Sequence, residues 1–157
     1  MGEVAEALLR LLNRASQLRI EYDPTQPSPC VQLPPDHHDM VEWRPVPASP
    51  PAALDGVAVH PSVREFYGSY LGWEAGGRYA GEAVHLIVVR NDELSEQFGR
   101  TLRRQVDAGE PVMVAYTDRE QLYSVDSAAG AVWLCASDHQ PIRQVAPTLA
   151  AFLADIE

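Results

Sequence analysis

His60–Arg90 reads HPSVREFYGSYLGWEAGGRYAGEAVHLIVVR, and the fold class turns on how its two halves are taken. Pro61 suits a first helical position, where its missing N–H costs nothing. Val63, Phe66, Tyr67, Tyr70 and Leu71 then recur at helical spacing and give one apolar, aromatic face. Gly72, Gly76 and Gly77 break that helix and let the chain turn. Tyr79–Val89 follows as one strand or a tight hairpin pivoting at Gly81–Glu82, and its nearly continuous AVHLIVV run predicts burial on both faces. An aromatic helix feeding the most apolar strand is the expected nucleus of an α+β core, with Phe66, Tyr70, Leu86 and later Phe98 buried.

Upstream of this stretch, Ala52–Val59 reads as a short helix or turn. Residues 22–51 hold nine of the 13 prolines (Pro24, Pro27, Pro29, Pro34, Pro35, Pro45, Pro47, Pro50, Pro51), which excludes helix through most of the segment. Only Met40–Arg44 reads as a short strand. Tyr22, Cys30, Val31, Leu33 and Trp43 supply apolar anchors, so the segment is expected to wrap the core in an ordered way rather than act as a linker. Before it, Glu3–Leu18 carries Val4, Leu8, Leu11, Leu12, Ala15 and Leu18 on one helical stripe.

Downstream, Asn91 is a good N-cap for a helix whose first turn holds Asp92, Glu93 and Glu96. Leu94, Phe98, Leu102 and Val106 make its expected buried face, Arg100, Arg103 and Arg104 suit its last turns, and Gly109 and Pro111 end it. Val112–Thr117, Gln121–Asp126 and Ala131–Cys135 then form an expected meander of strands. Asp138–Gln144 reads as loop. Pro147 opens a last helix, with Leu149, Phe152, Leu153 and Ile156 facing inward. No repeat divides the chain, so residues 1–157 are expected to form one domain: an N-terminal helix within 1–20, the wrap at 22–51, and the main core at 52–157.

Charge narrows the function. The 157 residues carry 22 Asp plus Glu against 12 cations, a net charge of −10, and every cation is Arg. That balance argues against nucleic acid, whose phosphates demand a basic footprint, and against direct adsorption to anionic lipid. It suits a basic protein partner drawn in by long-range attraction. No apolar run approaches the roughly 18–20 residues a membrane helix needs, so any membrane association is expected to go through a protein. Cys30 and Cys135 form no C-x-x-C motif and no secretory leader stands at the N-terminus, which predicts two free thiols in a reducing compartment.

The chemistry-bearing residues do not assemble into a catalytic pattern. Asp36-His37-His38-Asp39 has metal-ligand residue types, but adjacent histidines rarely converge on one ion and no spaced His or Glu supports them. Exposed loop residues are the expectation there, with no metal and no cofactor. His60 reads as a helix cap, His85 as a core histidine with its polar atoms satisfied, and His139 as a loop residue. No G-x-S-x-G elbow is present, and the Gly72–Gly81 turn is not a G-x-G-x-x-G phosphate loop. These absences predict a non-enzyme.

Several local motifs occur together, in order. They are PSPC at Pro27-Ser28-Pro29-Cys30, V-x-W-x-P at Val41–Pro45 with Trp43, VHP at Val59-His60-Pro61, FYGSY from Phe66-Tyr67-Gly68 to Tyr70, SVDSAAG at Ser124–Gly130 and LAAFL at Leu149–Leu153. In this combination the chain resembles the Syd family of bacterial SecY-interacting proteins, within the wider Smi1/Knr4-like (SUKH) group. It departs from the family pattern at Phe98–Gln105, which reads FGRTLRRQ here. The resemblance implies a single-domain α+β fold with a mixed, mainly antiparallel sheet flanked by helices. It implies an acidic cytoplasmic protein, held peripherally at the inner membrane by the cytosolic loops of the SecY channel. A SUKH-type immunity protein that neutralises a basic toxin is the alternative the same resemblance leaves open. The motif residues Pro27, Ser28, Pro29, Cys30, Trp43, Pro45, His60, Pro61, Phe66, Tyr67 and Gly68 are expected to be structural, and Asp36, Asp39, Glu42, Glu74 and Glu82 to form an acidic rim for the partner.

Overall fold

The computed structural model describes residues 2–15 and 17–157. Along them run α1 (Glu3–Asn13), β1 (Arg19–Glu21), β2 (Val31–Gln32), β3 (Met40–Trp43), β4 (Val46–Pro47), a 3-10 turn (Ala52–Leu54), α2 (Pro61–Ser69), β5 (Tyr70–Leu71), β6 (Gly76–Tyr79), β7 (Glu82–Leu86), α3 (Asp92–Asp107), β8 (Val112–Thr117), β9 (Leu122–Val125), β10 (Val132–Cys135), β11 (Pro141–Ala146) and α4 (Leu149–Ala154). Strands β6 to β11 form one six-stranded sheet in sequential order, β1-β3-β2 form a three-stranded sheet, and β4 pairs with β5. Every strand pairing among the described residues is antiparallel. The fold is α+β, as the sequence predicts.

The decisive stretch folds with three corrections. Its helix begins as expected: His60 is the N-cap, its ring accepting from the Ser62 N–H, and Pro61 is the first helical residue. The helix stops at Ser69, however, and Tyr70–Leu71 turns to strand and pairs with Val46–Pro47. Leu71 is buried there, while Tyr70 is only half-buried. The hairpin pivots one residue earlier than its sequence suggests, at Ala80–Gly81, whose φ values of +50° and +83° belong to a mirror-image two-residue turn. Finally, β7 ends at Leu86, and only Val84 and Leu86 are buried along it. One face of the strand meets the core. His85 points to the other, half-exposed, with its Nε2 2.8 Å from Asp118 Oδ1 and its ring stacked on Tyr116. It is satisfied, but it is not a core residue.

The inner face of the large sheet (Val84, Leu86, Ala115, Tyr123, Val125, Val132 and Leu134) joins the buried faces of α1, α2 and α4 in one core. The last helix is capped by Thr148 and buries Leu149, Phe152 and Leu153 as predicted, with Ile156 just beyond it. Its Phe152 ring lies 4.7 Å from Tyr79 and 4.8 Å from Tyr123. Arg10 of α1 donates to the Leu153 and Ile156 carbonyls, so a guanidinium ties α1 to the C-terminal end of α4. Glu65 of α2 accepts the Ala5 N–H at 2.7 Å and serves the start of α1 in the same way. The helix α1 stops at Asn13 rather than at Leu18, with Ser16 outside the described residues. Its expected stripe is nonetheless buried at Val4, Leu8, Leu11 and Leu12.

The helix α3 has the predicted cap, Asn91 accepting from the Leu94 N–H, and the predicted stop at Gly109 with φ +74°. Its buried face is rotated from the predicted one. Ser95, Gly99, Leu102 and Gln105 are buried, Phe98 and Val106 are half-buried, and Leu94 is 37% exposed. The last missed element is β11: Pro141–Ala146 pairs with β10 where the sequence reads as loop through Gln144.

Candidate functional site

The Pro-rich segment contributes β2 and β3 to the three-stranded sheet, in which β3 also pairs with β1 just before the segment. The PSPC turn is stitched to the junction before α3. The Ser28 hydroxyl donates to the Arg90 carbonyl at 2.5 Å and accepts from the Cys30 N–H at 3.1 Å. The Asn91 amide donates to the Pro27 carbonyl at 2.8 Å. Arg90 donates to Gln26 and lies 4.0 Å over the Trp73 ring. Cys30 is buried, and burial pushes its thiol pKa up; Cys135 is likewise buried and raised, and both are free. Trp43 is fully buried and its indole N–H donates to the Gln17 carbonyl at 2.7 Å. Leu33, expected as an anchor, is instead 62% exposed.

Motifs far apart in sequence meet. The His60 ring, held by Ser62, lies against Gly130 of the SVDSAAG segment, where a Cβ would come within 2.5 Å of the imidazole. Gly130 also has φ +78°, so contact and backbone both call for glycine. Phe66 packs edge-on against Tyr67, and the Tyr67 hydroxyl donates to the Met113 carbonyl at 2.6 Å. Burial raises that phenol well above its ordinary pKa. Gly68 lets Pro50 approach closely, and half-buried Pro45 links β3 to β4.

The acidic residues fall into separate groups. Asp36 and Asp39 bracket the turn into β3: Asp36 Oδ1 accepts from the His38 and Met40 N–H groups, and Asp39 sits at φ +57°. Asp36 Oδ2 lies 2.5 Å from Arg19. The Arg19 hydrogen bond first, then the two backbone N–H groups, hold its carboxyl well below the usual range. Glu42 lies in β3 opposite Arg19 and 3.4 Å from Arg44. Glu74 and Glu82 stand at opposite ends of the β6–β7 hairpin. Glu74 lines a small cleft with Arg14, His85 and Glu157, and Glu82 lies 3.4 Å from Arg119. The His37 and His38 rings lie 3.9 Å apart, tilted at 45°, and among the described residues no three His, Cys, Asp or Glu side chains gather to hold a metal ion. Among the described residues no helix is long and apolar enough to cross a membrane.

One concavity brings together residues from distant parts of the chain, among them Asp126 and Ser127 of the SVDSAAG segment. At the end of α3 a cavity of about 410 Å³ is walled by Val106, Glu110, Asp126, Ser127, Trp133 and Pro141. These residues come from the helix terminus, the β9–β10 turn, β10 and the start of β11. Only Asp126 and Ser127 share a local motif, and the meander brings the rest to them. A further sequence signal is Trp133, an aromatic residue at an outward register position of β10.

A family model described as Syd protein (SUKH-2) matches residues 7–157. The chain is 30% identical over 148 residues to Protein Syd of Hahella chejuensis, covering 83% of this chain and 74% of that protein. It is 28% identical over 153 residues to Protein Syd of Pseudoalteromonas atlantica, covering 88% and 82%. To Protein Syd of Pectobacterium atrosepticum it is 29% identical over 143 residues, covering 83% and 78%.

Proposed function

We propose, from the premise that this chain belongs to the Syd protein (SUKH-2) family, that it is a non-enzymatic binding protein that docks on the cytoplasmic face of the SecY translocation channel. The observation that carries this reading is the family match across residues 7–157. Charge supports it: at −10 the protein is complementary to cytosolic loops of inner-membrane proteins, which are rich in Lys and Arg. The protein is cytoplasmic on this reading, and it reaches the membrane surface only through the channel. Its role there is to regulate or check the translocon.

Binding of the purified protein to detergent-solubilised SecY complex across a salt series tests the proposal. Association is expected to be fastest at low salt and to slow as the Debye length shrinks from about 10 Å at 0.1 M to about 3 Å at 1 M. Dissociation is expected to respond less, because apolar contacts govern it. No binding at low salt sinks the channel reading and favours neutralisation of a basic toxin. Tight binding indifferent to salt keeps the partner and refutes the electrostatic mechanism.

A further inference from the structure

The cavity at the end of α3 has the chemistry of a cation site with one flat wall. Negative potential reaches it from three independent sources. Glu110 and Asp126 both line it, and Asp126 is fixed in place because its Oδ1 accepts the Ala128 and Ala129 N–H groups at 2.8 and 3.1 Å. The third source is α3 itself, a helix of 16 residues that ends at the cavity wall. Its C-terminal carbonyls carry the negative end of the helix dipole, roughly half an elementary charge. None of the lining side chains is basic.

One further feature selects among cations: Trp133 supplies an indole ring, the aromatic surface that attracts a cation most strongly. A planar guanidinium meets both demands at once. It stacks on an indole, offers five N–H donors to the two carboxylates, and trails an aliphatic stem suited to Val106 and Pro141. An ammonium is a point charge and uses the flat wall less well.

We infer that this cavity receives an arginine side chain from the basic protein partner. The inference rests on the reading above that the partner is a basic protein, and adds the place and the residue type.

The test is titration of the full chain with N-acetyl-arginine N-methylamide, followed through the indole N–H resonance of Trp133, which Trp133→Phe assigns apart from Trp43 and Trp73. That resonance is expected to shift saturably. The neutral citrulline analogue is expected to bind at least about tenfold more weakly, and the lysine analogue about threefold more weakly. Glu110→Gln, and separately Asp126→Asn, which keeps the turn-capping oxygen, are each expected to weaken the arginine probe about threefold or more with the remaining spectrum unchanged. A silent resonance, or equal binding of the citrulline analogue, overturns the site, and equal binding of the lysine analogue overturns the assignment to arginine. Failure of the two readings is distinguishable. Channel binding that persists in Glu110→Gln with a silent probe removes the site alone. A responsive probe with no channel binding removes SecY as the partner and leaves the site standing.

Discussion

Ser28 shows how one small side chain carries the architecture. Its hydroxyl joins the PSPC turn to the Arg90 carbonyl, 62 residues away, and closes its own turn by accepting from Cys30. Ser28→Ala leaves both backbone groups without that partner. The expected cost is about 1–3 kcal/mol, read as a lower urea midpoint with an unchanged slope. Asp36 makes an electrostatic prediction of opposite character. Its folded pKa is depressed below the ordinary value of 3.8, so its contribution is complete above that value and is lost as pH falls through the depressed one. Carboxyl-carbon NMR is expected to find Asp36 still ionised at about pH 3, where an unperturbed Asp is mostly protonated. Arg19→Gln removes the largest cause and is expected to move its titration upward.

At the scale of elements, α3 is the most instructive. Leu94, Phe98 and Leu102 recur every four residues and look like a core stripe. The core instead takes Ser95, Gly99, Leu102 and Gln105. The reason is the close approach of the 3-10 turn: a Cβ on Gly99 would lie 2.9 Å from Pro51 Cβ and 3.2 Å from Ala53 Cβ. Glu96, one turn earlier, accepts the Ala52 and Ala53 N–H groups and binds the same turn. Gly99 is buried because the Pro51 and Ala53 side chains pack close against it, and Gln105 is buried with its amide hydrogen-bonded to the Met113 N–H and His139; hydrophobic periodicity can register neither. Truncation separates the two faces. Leu102→Ala is expected to cost about 2–5 kcal/mol and Phe66→Ala about 3–5, while half-buried Phe98→Ala costs roughly half as much as Phe66→Ala and Leu94→Ser costs least. Denaturant midpoints that rank Leu94 or Phe98 with Leu102 would contradict this packing. The starts of α1, α2 and α3, the stop of α3 and the inward face of α4 were legible because capping and 3.6-residue spacing are local, whereas α1 and α2 end earlier than their apolar stripes suggest. The strand β11 was not legible. It is an edge strand opened by Pro141, with Ile142, Arg143 and Gln144 all exposed, so it lacks the alternation that marks a half-buried strand. Strands β1, β2 and β4 are two or three residues long and too short to show any period. The walls of the α3 cavity escaped for the same reason, since tertiary pairing alone assembles them.

At the scale of the whole molecule, the arginines are drawn inward in function if not in depth. Arg10, Arg44, Arg64 and Arg78 donate to backbone carbonyls, and Arg90 covers Trp73. Several carboxylates also hold structure, Glu65, Glu96, Asp23 and Asp126 among them, but acidic groups outnumber basic ones 22 to 12 and the excess faces outward. This changes how the acidic rim should be tested. Reversing the charge of Asp36 would break the turn into β3 along with the field, so a loss of binding would have two causes. Asp39→Asn, Glu42→Gln and Glu74→Gln together remove three negative charges with little change of shape, and Asn tolerates the left-handed backbone at position 39. If these residues form the rim that meets a basic channel surface, the triple variant is expected to associate with SecY severalfold more slowly at low salt. The difference is expected to vanish toward 1 M salt, where charges about 3 Å apart are already screened. Dissociation and the melting temperature are expected to stay nearly those of the parent protein. Unchanged association at every salt concentration would move the binding face away from the three-stranded sheet and the open end of the β6–β7 hairpin. Slower association accompanied by a lower melting temperature would assign these carboxylates to the framework instead.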